Sequence, residues 1–111
     1  MSALIDAKVL DELEDAVGAE FLLELIETFL NEAPGMMAEL QQAETADDAE
    51  AIRRAAHSLK SNANTFGAVQ LAEAARQIEI EGLGDTPTDA IAALQSALDE
   101  AYKALRTRLD G

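Results

Sequence analysis

The chain contains no cysteine and a single histidine among its 111 residues. Disulfides and thiolate metal sites are thereby excluded, and hydrophobic burial has to hold the fold without covalent help. One histidine without cysteine gives no convincing zinc site. The region from Asp85 to Asp89 lacks the ligand spacing and central glycine of a calcium loop. No metal site is expected, and no cofactor bound by this chain. Basic residues are also scarce: 8 Lys and Arg against 22 Asp and Glu leave a formal charge of −14. Nucleic-acid binding requires clustered cations that displace counterions from phosphates, so this balance argues against DNA or RNA as a partner, and an anionic membrane is disfavoured similarly. No apolar run approaches the roughly 20 residues that span a bilayer, and Asp6 and Asp11 interrupt the apolar residues that a secretion signal would need. A cytoplasmic location is expected. There is no glycine-rich phosphate loop, Walker motif or kinase signature, so neither ATP binding nor self-phosphorylation is expected. No hairpin signal or alternating strand pattern is present.

What remains is helical. The length suits one domain, taken to span residues 1–111. Leu4 and Ile5 precede Asp6, a suitable N-cap for a short helix with Val9, Leu10, Leu13 and Val17 on one face, ended by Gly18. From about Ala19 a longer stripe follows: Leu22, Ile26, Phe29, Ala33, Met36, Met37 and Leu40. Pro34 and Gly35 interrupt it, and a proline inside a helix costs about 3 kcal/mol. Because the stripe keeps its phase across them, one kinked helix is predicted rather than two. Phe21, Leu23 and Leu30 fall outside this stripe, as a docking patch or as cover for the first helix.

Asp47 and Glu50 have capping-box spacing for a helix starting near Asp48 and ending between Thr65 and Gly67. The next helix is expected from about Ala68 to Glu81, with Leu71, Ala72, Ala75 and Ile78 inward, broken by Gly82 and Gly84. Thr86, Pro87 and Asp89 open a last helix carrying Ile91, Leu94, Leu98, Tyr102, Leu105 and Leu109. Short connections make these four helices antiparallel neighbours. The fold expected is all-α, an up-and-down four-helix bundle with a short accessory N-terminal helix.

The histidine lies in AAHSLKSNANTFGA, residues 55–68. At about 100° per residue, Ile52, Ala56, Leu59, Ala63 and Phe66 form the inward face of this helix. Arg53, His57, Lys60 and Asn64 form a polar ridge beside it, their side chains neighbours at three- and four-residue spacing. Lys60 and Ser61 stand one turn beyond the imidazole. A neutral imidazole presents one basic nitrogen that can act as a nucleophile, and a nearby ammonium stabilises what it captures if that is an anion. Ser58 and Ser61 lie near His57, but a hydrolase also needs an orienting acid and an oxyanion site, and local sequence shows neither.

His57, Leu59, Lys60, Ala63, Gly67 and Ala68, followed by Leu71 and Glu79, resemble the signature of histidine-containing phosphotransfer domains. Ile5 and Asp6, Phe29, Asp47 and Tyr102 are also spaced as in that family. The resemblance implies a four-helix bundle with an accessory N-terminal helix. It also implies a phosphorelay intermediate, in which His57 accepts a phosphoryl group from a receiver-domain phosphoaspartate and passes it to another receiver aspartate. Such a chain is a phosphotransfer protein with a covalent phosphohistidine intermediate and not an ATP-dependent kinase. Lys60, Ser61, Arg53, Asn64 and Gly67 are then the candidates for phosphate stabilisation or partner binding. The expected partners are response-regulator receiver domains and a hybrid histidine kinase, with the divalent metal on the receiver and this chain a monomer. The family commonly has glycine immediately after the lysine, where this chain has Ser61. Serine is still small enough for close approach, and its hydroxyl could donate to a phosphoryl oxygen. The initiating methionine and full set of helices favour a standalone transmitter over the terminal domain of a larger kinase. The competing reading is an acidic helical adaptor that binds a partner without phosphoryl transfer. Acid is concentrated accordingly, with 14 acids and one base in residues 1–50 against 8 acids and 7 bases in 51–111.

Overall fold

The computed structural model describes residues 5–110; Met1–Leu4 and Gly111 lie outside them, Leu4 of the N-terminal apolar pair included. Five helices occur in these residues and no strand: α1 (Ala7–Val17), α2 (Ala19–Thr45), α3 (Ala49–Thr65), α4 (Val69–Glu81) and α5 (Pro87–Asp110). Asp6 caps α1 as its sequence position requires, its Oδ1 accepting from the Lys8 N–H at 3.0 Å. Gly18 closes that helix at φ 92°. α2 runs unbroken through Pro34 and Gly35. Pro34 is exposed while Ala33, Met37 and Leu40 are buried, so tertiary packing on the opposite face offsets the local cost of the proline.

The start of α3 differs from the capping-box expectation. Asp48, not Asp47, is the N-cap, and its Oδ1 accepts from the Ala51 N–H at 3.1 Å. Asp47 instead closes α2 in the left-handed region at φ 53°. The Asp47 N–H donates to the Glu44 carbonyl at 3.0 Å and the Asp48 N–H to the Ala43 carbonyl at 3.0 Å, the paired bonds of a Schellman motif. Glu50, freed from capping, takes Arg53 as its partner. The same motif ends α3: the Ala68 N–H donates to the Ala63 carbonyl at 2.8 Å and the Gly67 N–H to that of Asn64 at 3.2 Å, with Gly67 at φ 71°.

Connections of three residues (46–48 and 66–68) and five residues (82–86) turn each long helix back along the one before it. α2 packs on α3 and α5, and α4 on α3 and α5, which closes a four-helix bundle. The core contains Leu22, Ile26, Phe29, Leu40, Leu59, Leu71, Leu94 and Leu105, all buried, with Phe29 stacked on Phe66 at a centroid distance of 5.3 Å. Leu30 belongs to this core, although its sequence position sets it outside the main stripe. α2 meets α1, α3 and α5 and needs a wider apolar face than one stripe supplies. Phe21 and Leu23 remain exposed. On α5, Tyr102 turns outward and Ala101 takes the buried position.

α1 packs on α2 and seals the end of the bundle where α3 turns into α4. The Asp6 N–H donates to the Gly67 carbonyl at 2.7 Å, and Arg108 of α5 reaches Asp11 at 3.3 Å and Glu14 at 2.9 Å. A Cβ on Gly67 would lie 2.9 Å from the Asp6 carbonyl oxygen and 3.0 Å from the Val9 Cβ. Gly67→Ala therefore combines a left-handed backbone with a clash, and should lower stability by about 1–3 kcal/mol in urea unfolding. An unchanged midpoint would mean that α1 is not seated on this turn.

Candidate functional site

α3 and α4 make the most extensive interhelical contact of the bundle. Ala55, Ala56 and Ala63 on one helix and Ala72 and Ala75 on the other are buried and short, so the two backbones come close. This hairpin brings Glu79, on the last turns of α4, across to His57, 22 positions earlier in the chain. His57 Nδ1 lies 2.6 Å from Glu79 Oε2, and Lys60 Nζ lies 2.6 Å from Glu79 Oε1. One carboxylate is held by two of the four polar side chains of the α3 ridge, His57 and Lys60. The imidazole is 55% exposed and the carboxylate only 15%, so the group that meets a partner is anchored by one that is largely covered. Glu79 Oε1 is sealed from solvent, and its contact with Lys60 is an ion pair rather than a well-angled hydrogen bond.

The Lys60 ammonium first, and the hydrogen bond from His57 second, hold the Glu79 carboxyl below the usual carboxylate range, against a smaller opposing effect of burial. Glu79 is thus ionised at neutral pH and can only accept, so His57 Nδ1 is the donor. In a neutral imidazole this leaves Nε2 with the lone pair. The carboxylate therefore selects the tautomer whose free nitrogen is the one remote from Glu79.

A lowered folded-state pKa implies a definite sign. The stability that ionised Glu79 contributes is fully present above its ordinary value of 4.5 and is lost as pH falls through the lower folded value. The stability gap between the wild type and Glu79→Gln should close as pH falls below about 4.5. Urea unfolding at a series of pH values measures it, and a gap unchanged down to acid would assign Glu79 no charge-dependent role.

The other ridge residues are distributed differently. Arg53 stands one turn before His57, but its guanidinium is taken by Glu50 at 2.5 Å. Ser61 is exposed one turn after His57, and Asn64 is exposed on the turn beyond Lys60. Gly67 is buried under the start of α1, where it serves the α3–α4 turn. Glu79 stands in the signature by resemblance, but its contact with His57 does not follow from the α3 sequence: the acid absent near His57 in sequence arrives from the next helix. Gly67 is the signal that could locate it, since a tight reversal there places residues about equally far on either side opposite one another. No group of three or more metal-ligating side chains gathers among the described residues, and no helix among them is long and apolar enough to cross a membrane.

A family model for the Hpt domain matches residues 24–108. Among solved structures, the chain is similar to the crystal structure of histidine-containing phosphotransfer protein B (HptB) from Pseudomonas aeruginosa PAO1. The identity is 23% and the TM-score 0.90, over 99% of this chain and 97% of that one. At that identity the likeness shows the fold. No curated protein sequence matches the chain.

Proposed function

The chain belongs to the Hpt domain family and is a phosphorelay intermediate, and from that premise we propose that His57 is the residue that carries the phosphoryl group. The observation that supports this most is the exposed imidazole with Nδ1 bound to an ionised carboxylate. In the reaction proposed, the His57 Nε2 lone pair attacks the phosphorus of a receiver phosphoaspartate. The N–P bond forms as the P–O bond to the aspartate breaks, and the receiver carboxylate leaves with the electron pair. The phosphorylated ring keeps its Nδ1 proton and becomes cationic, and Glu79 lies opposite that charge. Attack by a second receiver's aspartate reverses the step. Phosphoryl transfer depends chiefly on positioning and electrostatics, so a rigid helix suffices here, while the receiver supplies the divalent metal. This chain needs no cofactor of its own.

Hpt domains work with the receiver domains and kinases of two-component systems. We infer further that the chain acts as a monomer in the cytoplasm, that a hybrid histidine kinase is among its partners, and that it binds neither nucleic acid nor membrane, as its acidity favours. Ser61 and Asn64 serve the docking face, the Ser61 hydroxyl within reach of a phosphoryl oxygen by its position one turn beyond His57.

Lys60 is tied to Glu79 before transfer, and a phosphoryl group on His57 offers it a second, more strongly charged anion. Lys60→Ala should leave helicity intact and phosphate uptake possible, with transfer slowed about tenfold. Rapid-quench transfer assays beside circular dichroism measure this; wild-type kinetics would remove Lys60 from the site. The reading as a whole is tested by screening purified receivers from the source organism for rapid phosphate exchange. Tight binding without modification would favour the acidic adaptor.

A further inference from the structure

Next to Arg53 and Glu79 the bundle carries an open cleft of about 470 Å³, between the start of α3, the end of α4 and the loop leading to α5. Its apolar lining includes Ile52 and Leu83, both half-buried, and Ile80, 66% exposed and more so than any other large apolar side chain described. The rim is acidic. Glu44, Asp47 and Glu81 border the cleft, and none of them has an ion-pair partner within 4 Å among the described residues. Arg53, the cation on the rim, is already neutralised by Glu50.

The cleft is continuous with the site, because Arg53 and Glu79 line it as well. A surface seated in it therefore borders the carboxylate that holds the imidazole, one helical turn from His57 on α3. A small-molecule pocket is a poorer match, since such sites enclose most of their ligand and place polar groups to orient it, whereas this cleft is open and its unpaired polar groups are all of one sign.

We propose that the cleft is the specificity pocket for the receiver, and that it takes an apolar side chain flanked by lysine or arginine on the receiver surface. This rests on the phosphotransfer reading of His57. Ile80 follows Glu79 directly, so one turn of α4 orients the nucleophile on one side and presents the apolar contact on the other. Burial of Ile80 supplies affinity, and the acidic rim rejects receivers that are acidic at the facing position.

The test uses Ile80→Ser and Glu81→Lys in the full chain. The probe is the purified receiver from the source organism that exchanges phosphate fastest with the wild type, charged with acetyl phosphate. Ile80→Ser should raise the KM for the receiver about tenfold with kcat held within about twofold. Glu81→Lys should raise KM more at low salt than at high salt. Uptake from phosphoramidate, which needs no docking, should be unchanged in both variants, as should the melting temperature. A wild-type KM in both variants overturns the pocket while leaving His57 as acceptor. Failure of the wild type to take phosphate from phosphoramidate and receiver alike overturns the phosphotransfer reading, and the pocket with it.

Discussion

Substitution of His57 by glutamine should abolish phosphate uptake while the bundle stays folded. The side chain is more than half exposed and belongs to no core cluster, so its replacement empties no cavity. Exposed positions of this kind shift stability by about 0.5 kcal/mol or less, and the amide of glutamine can still hydrogen-bond to Glu79. What disappears is the ring nitrogen that forms the bond to phosphorus. Circular dichroism, receiver affinity and transfer should be read on one preparation. Helicity and docking should match the wild type, because docking uses a wider surface than one side chain, while acid-labile phosphate falls to background.

The second large effect is expected at Glu79, which holds the Nδ1 side of the His57 ring and the Lys60 ammonium. Glu79→Ala releases both clamps at once: His57 loses the acceptor that fixes its tautomer, and Lys60 loses its anion. Loss of an orienting partner of this kind costs about 10–100-fold, and the cost should fall on the rate of transfer rather than on receiver binding. A structural role alone would not alter the imidazole, so nitrogen-15 NMR of His57 separates the two. The wild type should show the Nδ1-protonated form, and the alanine variant a mixture of both tautomers. Glu79→Gln, which can still accept through its amide oxygen, should recover part of the rate. Full activity in Glu79→Ala would show that the tautomer needs no help from α4.

The helical periods together with Asp6, Gly18, Gly67, Gly82 and Pro87 make the element order legible in the sequence, because caps and breakers are local chemistry. Asp47 misleads because an acid three residues before Glu50 fits an N-cap, whereas the chain uses it to close the preceding helix in the left-handed region. That choice depends on how tightly α2 turns into α3, which no local pattern states. Leu30 misleads likewise, since one wheel cannot show that α2 faces three neighbours. At the site, the ridge of Arg53, His57, Lys60 and Asn64 is legible because a single helix carries it. The pairing of His57 with Glu79 is not, for it depends on the offset between two helices set by alanine packing. Gly67 shows the converse: a candidate for the site by family resemblance, it is explained by the Asp6 and Val9 atoms that crowd it.

The most direct measurement is the location of the phosphate itself. The wild-type chain is incubated with a phosphorylated receiver, digested at alkaline pH and mapped by mass spectrometry. One phosphate should appear on the peptide containing His57, stable in alkali and lost in acid, and it should be absent from His57→Gln. Acid-labile phosphate taken up by His57→Gln at the wild-type rate would contradict the assignment of the relay to His57.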